Sequence, residues 1–331
     1  MSNRIRAFLS DIEPNGYLNE MQKGLEYIGF ADMVSSTSKV FIKPNLTFPE
    51  YRRGVMTNPE AVEAAILAIR EYTSNIVIGD ADSGGYNRFS MDEVYKETGL
   101  WKFSKDYSVE VVNLSKIKRK TFRINLQDRY VDLDLPSLLT DKIDLLITMP
   151  VPKIHANTGV SLSFKNQWGC IPEPDDRLKL HPYFKYVIFE VNKLVKSKIS
   201  IIDGKYGLNI NGPMKGEPVD LGWMMISNDI GASALLACEL MQIDFRKINH
   251  LRYAKERDGI PERSDIILNS DVNDFLKEKF VLHRNITDIP GYLAFHNRFL
   301  AYLAYFSPVS DLLHKLLYLF REPFYDYEKY S

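Results

Sequence analysis

Short apolar runs alternating with helical spacing predict an α/β protein: a doubly wound, mainly parallel sheet with helices on both faces, an edge β-hairpin and a C-terminal helical extension. Three observations carry this. Lys39-Val-Phe-Ile-Lys-Pro-Asn45, Asn75-Ile-Val-Ile-Gly-Asp80 and Ile143-Asp-Leu-Leu-Ile-Thr-Met149 are short and mostly apolar, as strands covered on both faces are. Between such runs, apolar residues recur at helical spacing, as in Val62, Ile66, Ile69 and again in Phe184, Val187, Ile188, Val191, Leu194. Polar residues then gather just past the runs, where open parallel sheets bind ligands.

Taken in order, Ile5 to Ile12 predicts a first strand and Tyr17, Leu18, Met21, Leu25, Ile28 a helix. The 39–45 strand is closed by Pro44. Thr57-Asn58-Pro59 opens a helix, with a capping residue before a proline at the first position. Val109 to Leu114 predicts a fourth strand. Thr121 to Leu126 and Tyr130 to Leu135 alternate apolar and polar about a Gln-Asp-Arg turn, hence the edge hairpin. The 143–149 strand follows, ended by Pro150 and Pro152, and the chain from Asn157 or Thr158 reads as a helix start. Ser200 to Asp203 predicts a strand, Gly207 to Gly216 a glycine-rich loop, Trp223 to Asp229 another strand, and Gly231 to about Met241 a buried helix. Residues 1–285 are expected to form the α/β domain, elaborated or two-lobed, and 286–331 the extension. Tyr292 to Phe306 is aromatic and apolar nearly all round, and after Pro308 a second stripe runs from Val309 to Phe320.

Composition excludes several classes. The 331 residues are 45% hydrophobic and 26% charged with net charge −1, so no basic field calls for nucleic acid. Two cysteines, Cys170 and Cys238, cannot hold an iron–sulfur cluster and build no disulfide framework, as expected of a cytoplasmic protein. Early acidic residues interrupt any leader pattern, and no apolar run is long enough to span a bilayer. The aromatic extension, residues 290–325, leaves two partners open: a second subunit or the body of the protein, and a membrane surface contacted peripherally.

The candidate chemistry lies at the strand ends. Lys43 and Asn45 follow one strand, Asp80, Asp82 and Ser83 the next, Lys153 and His155 a third, Asp203 and Lys205 a fourth. Lys153 and His155 are two apart, so extended backbone puts them on one side. Ser161 and Lys165 are four apart, which on a helix gives one face. Lys165 and Asn166 sit between Phe164 and Trp168, where a solvated face is not expected. Lysines, a histidine and aspartates at one crevice suit a small anionic molecule, with a divalent metal on the aspartates as a further option. The Ser83-Gly84-Gly85 loop offers backbone N–H groups to a phosphate, although no Walker or dinucleotide pattern is present. Each feature also has a plain reading: Lys43 as a turn lysine, Asp80 as a helix cap, Cys170 as packing.

Lys43-Pro-Asn45, Thr57-Asn58-Pro59-Glu60, Ile78-Gly79-Asp80, Pro152-Lys153-Ile154-His155, Ser163-Phe164-Lys165-Asn166 with Gly169, Asp203-Gly204, and Asn211-Gly212-Pro213 with Gly216 occur in the order of the DUF362 family, which the chain resembles over residues 38–245. The resemblance implies an α/β protein of undefined function. Some members carry ferredoxin-like cysteine clusters, which this chain lacks. Where members read Ser-x-Asp-Pro-Val-Ala-x-Asp, this chain has Ser227-Asn-Asp-Ile-Gly-Ala-Ser233, keeping Asp229 and replacing the last aspartate with Ala234. The architecture also resembles, more loosely, the nickel-dependent lactate racemase family. The expected site is therefore Lys153, His155 and Lys165 as catalytic groups, Lys43, Asn45, Ser83, Asn166 and Asn211 as substrate contacts, and Asp80 and Asp203 as metal or orienting carboxylates. The expected activity is acid–base chemistry of an isomerase, racemase or transferase type. The rival is a non-catalytic binding or scaffold protein docked through its C-terminal helices.

Overall fold

The computed structural model describes residues 4–84, 89–126 and 129–320. Gly85, the first two residues of the Gln-Asp-Arg turn and positions 321–325 of the aromatic extension lie outside them. The first half runs β1 (Ile5–Asp11), α1 (Gly16–Tyr27), β2 (Val40–Pro44), α2 (Pro59–Ile69), β3 (Ile76–Asp80), α3 (Met91–Glu97), α4 (Lys102–Tyr107), β4 (Glu110–Asn113), β5 (Arg119–Asn125), β6 (Tyr130–Pro136) and β7 (Leu145–Met149). The second half continues with β8 (Lys153–His155), β9 (Gly159–Ser161), α5 (Ser163–Asn166), α6 (Pro174–Leu180), α7 (Phe184–Leu194), β10 (Ser197–Asn209), β11 (Glu217–Ser227), α8 (Ile230–Leu240), α9 (Asn249–Lys255), β12 (Ile266–Leu268), α10 (Ile289–His296), α11 (Arg298–Tyr305) and α12 (Ser310–Tyr318).

The main sheet has the order β12-β1-β11-β10-β7-β2-β3-β4, with β8 and β9 branching from β10. From β10 to β4 every neighbour is parallel; β11 is antiparallel to both β10 and β1. The apolar runs reflect burial on both faces. In β2, Val40 and Ile42 join Ile76, Ile78 and Ile147 in one core under α1 and α2, while Phe41 joins Val77 and Leu146 in the opposite core against α7. The chain leaves β2 toward β3 and β4, then returns to lay β7 on the other side of β2. That reversal opens a crevice at the carboxyl ends of β2, β3 and β7.

Three expectations change. The hairpin is no sheet edge: β5 and β6 form a separate two-stranded sheet, laying Ile124, Leu133 and Leu135 on the core that holds Phe41 and Val77. Its alternating pattern buries one face only, which suits a flap laid over the sheet better than a strand within it. The segment from Asn157 is no helix start. β8 turns back antiparallel into β9, and the short helix α5 begins only at Ser163. Asp203 is no strand end, because the thirteen-residue β10 runs on past it to Asn209 beside β11. Gly204 permits this pairing, since a Cβ there would lie 2.3 Å from the Trp223 ring. The glycine-rich stretch consequently spans a strand end and a shorter loop, and the aromatic extension divides at Asn297, whose side chain caps α11 by accepting from Phe299 and Leu300 N–H.

Asp203 instead ties three elements together. Its Oδ1 accepts from the Tyr17 hydroxyl at 2.6 Å and its Oδ2 from the Asn58 N–H at 2.7 Å, joining α1 and the start of α2 to β10. Asn58 in turn caps α2 by accepting from Glu60 N–H at 3.0 Å. Replacing Asp203 with Ala strands two buried donors at roughly 1–3 kcal/mol each. Urea unfolding of Asp203→Ala should therefore show a loss of roughly 2–6 kcal/mol, and a stability within error of wild type would contradict the tie.

Candidate active site

The crevice holds a cavity of about 750 Å³. It is lined by nine of the ten expected residues: Lys43, Asn45, Asp80, Ser83, Lys153, His155, Lys165, Asn166 and Asn211. Asp203 is the one left out. Its side chain lies among Tyr17 and Asn58, so the two aspartates never meet as a metal pair. Among the described residues, no three His, Cys, Asp or Glu side chains cluster with the arrangement of a metal site.

The lysines divide by their partners. Lys43, at the end of β2 and only 1% exposed, gives its ammonium to Asp80 Oδ1 at 2.8 Å and to its neighbour's carbonyl, Pro44 O, at 3.2 Å. Asp80, at the end of β3, also accepts from Leu46 N–H at 3.2 Å and Ala81 N–H at 2.9 Å. Burial pushes its carboxyl up from the usual range, against the pull of Lys43. Gly169 is required here: a Cβ would lie 2.5 Å from Asp80 Oδ1 and 2.9 Å from Lys43 Nζ. The pair is thus roofed by backbone.

Lys153 and His155 project from β8 on one side, as the extended backbone dictates, while Ile154 between them enters the core under α8. Lys153 donates to Val55 O at 2.6 Å, and desolvation, then the charge of Lys165, holds it well below the ordinary lysine range. His155 Nδ1 accepts from Asn157 N–H at 3.1 Å, so the neutral ring carries its proton on Nε2. Desolvation and the charges of Lys165 and Lys153 keep that ring neutral.

Lys165 differs from both. It stands on α5 and lines the cavity with no acidic partner among the described residues. Burial, and then the charges of Lys43 and Arg177, lower it to about 7. Its neighbour Asn166 is structural: its amide donates to Lys43 O at 3.1 Å and Thr148 Oγ1 at 2.8 Å, fixing α5 to β2 and β7. Ser83 donates to Thr47 O at 2.6 Å, Asn45 to Val55 O at 3.3 Å and Asn211 to Asp288 Oδ2 at 2.6 Å. These three shape the wall by holding loops.

Other lining groups escaped the sequence reading. Arg177 on α6 donates to Asp82 O, and its buried Nε has no hydrogen-bond partner among the described residues. Asp175, Asp176 and Lys179 around it look like a solvated helix face, so no local signal marks it. His181 stacks on Trp168 at 5.9 Å and lies tilted against Phe295 of α10 at 4.5 Å. Phe295 and Tyr305 bring the C-terminal helices into the wall, a placement that only packing reveals.

The sequence profile of the DUF362 family, a domain of unknown function, matches residues 40–239, and the chain belongs to that family. A thylakoid-associated protein of Synechocystis sp. is 26% identical over 242 residues, which cover 70% of this chain and 71% of that protein. Among solved structures, the lactate racemase apoprotein of Thermoanaerobacterium thermosaccharolyticum aligns at a TM-score of 0.44 with 14% identity, covering 73% of this chain and 57% of that one. A protein of Thermotoga maritima aligns at 0.38 with 13% identity, covering 68% of this chain and 59% of its own. The chain thus spans under two thirds of either solved protein.

Two outcomes follow from the electrostatics. Lys43→Met leaves Asp80 buried and unpaired, so stability should fall by roughly 3–5 kcal/mol, and the double change Lys43→Met with Asp80→Leu should recover most of it. Equal losses in the single and double variants, measured by urea unfolding, would remove the pair from its structural role. His181 and His250 are both held neutral to about 3, chiefly by burial. A lowered pKa contributes stability that is full above the unfolded value of about 6.5 and is lost as pH falls toward the folded one. The buried carboxyls of Asp80 and Asp203, pushed up by desolvation, act oppositely and nearer their own range. Between pH 7 and 5 the melting temperature should drop, and His250→Leu should shrink that drop; an unchanged slope would refute the assignment.

Proposed function

We propose that the cavity binds a small anion, a carboxylate or phosphate, and that the protein acts on it by proton transfer. Lys165 is the anion's partner and the proton carrier, and His155 offers its Nε2–H beside it. The carrying observation is the contrast among the lysines. Lys43 is neutralised by Asp80 and Lys153 is held by a backbone carbonyl, whereas Lys165 has no acidic partner among the described residues. An ammonium poised near neutrality can carry charge to a substrate or exchange a proton with it. Acyl transfer through cysteine is disfavoured, because burial pushes the Cys170 thiol up to about 12. The metal option fares less well than the proton-transfer reading, since Asp80 is already engaged by Lys43.

A second reading concerns location and is compatible with the first. α11 and α12 expose Phe299, Tyr302, Leu312 and Leu316, and the Synechocystis relative is described as thylakoid-associated. Both favour peripheral attachment to a membrane. No described helix is long and apolar enough to cross one.

The test is calorimetric titration with sulfate, whose charge is constant near neutrality. Sulfate should bind at pH 6 and weaken as pH rises through about 7, where free Lys165 loses its proton. At a hundred times its dissociation constant it should add about 2.7 kcal/mol of stability. Lys165→Met should abolish both effects without unfolding the chain. Wild-type sulfate affinity in that variant would overturn the proposal.

A further inference from the structure

Resting on the anion-binding reading, we infer that the substrate is an amphiphile: an anionic headgroup held at Lys165, with a hydrocarbon tail that runs out of the cavity between the C-terminal helices into a bilayer. The cavity has two chemically distinct ends. At the sheet end stand Lys165, Lys153 and His155. On the side of α6, α7 and the C-terminal helices the wall includes Leu178, Phe184, Phe295, Tyr305 and Phe320, with Arg177, His181 and Asp288 among them. A small polar metabolite would leave these five apolar side chains without a partner.

The same wall leads outward. Phe320 lines the cavity and is nevertheless 77% exposed, which puts it at the mouth. Next to it on the outer face, Leu319 is 74% exposed and Leu312 58%, and Phe299 and Tyr302 of α11 are 69% and 56% exposed. Exposed apolar side chains thus stand on α11, on α12 and on the two residues after it, one of which also lines the cavity. So many exposed apolar side chains on two short helices mark a surface that meets an apolar partner. Arg298 and Lys315 lie exposed on these helices, with Asp311 as the acidic counterpart, a balance suited to an interface carrying some anionic lipid. The occupant of the outer face is thus a bilayer surface, and the occupant of the cavity is one of its anionic amphiphiles.

The experiment uses the full chain with butyl and octyl phosphate below their micelle concentrations, together with vesicles of phosphatidylcholine and phosphatidylglycerol. Apolar transfer is worth about fourfold in affinity per methylene, so octyl phosphate should bind on the order of a hundredfold tighter than butyl phosphate. Phe320→Ser should erase at least about tenfold of that gain. The vesicles should sediment wild type but not the variant carrying Phe299→Ser, Leu316→Ser and Phe320→Ser. Equal affinity for the two phosphates overturns the amphiphile and leaves the anion reading standing. Binding of neither overturns both. A dimer that the triple variant splits, with no vesicle recruitment, assigns the outer face to a second copy and overturns the bilayer.

Discussion

The buried ion pair of Lys43 and Asp80 is the constraint on which the rest of the site depends. It joins the ends of β2 and β3 beside the point where the strand order reverses, buried from bulk solvent yet at the wall of the cavity. Gly169 lets the backbone after α5 close over it, and Asn166 reaches back from α5 to the Lys43 carbonyl. The short helix that presents Lys165 is thereby fixed to the pair. Such a pair adds little net stability over a well-packed apolar substitute, because desolvating two charges costs nearly what their attraction returns. Its consequence is geometric: it sets where α5 stands.

The pair also shapes the electrostatics around it. With Lys43 and Asp80 balanced, the other cations are left to one another. Lys153 yields to desolvation and to the charge of Lys165, His155 yields to both, and Lys165 settles near neutrality under Lys43 and Arg177. An anion entering this cavity would relieve repulsion that the fold cannot relieve itself. Groups with perturbed titration gather in functional clefts more often than in structural cores, which is what supports the anion-binding proposal.

The C-terminal helices change the character of the crevice. Without α10 and α11 it would be an open groove at the strand ends; with them, His181 is held between Trp168 and Phe295 and the far wall becomes aromatic. Asn211 and Asp288 bond across the same boundary, tying the loop between β10 and β11 to the start of the extension. Residues 286–320 therefore belong to the cavity as much as to the surface.

Much of this was legible in the residues alone. β2, β3 and β7 announce themselves because a strand covered on both faces must be apolar throughout, and prolines and capping residues mark their ends whatever the rest of the chain does. Lys43, Lys153, His155 and Lys165 could be placed near one crevice for the same local reason, and the ordered motifs pointed to the DUF362 family. Which lysine is neutralised was decided only by tertiary structure, because the pairing that matters joins residues 37 apart in the chain. Asp203 turned to Asn58, 145 residues away, because β10 continues past it to pair with β11. Arg177 and Phe295 reached the cavity through helix packing that no local pattern encodes. Local sequence determines which backbone a segment prefers and which faces it buries; partners for buried charge are chosen by whatever the folded chain brings within about 3 Å.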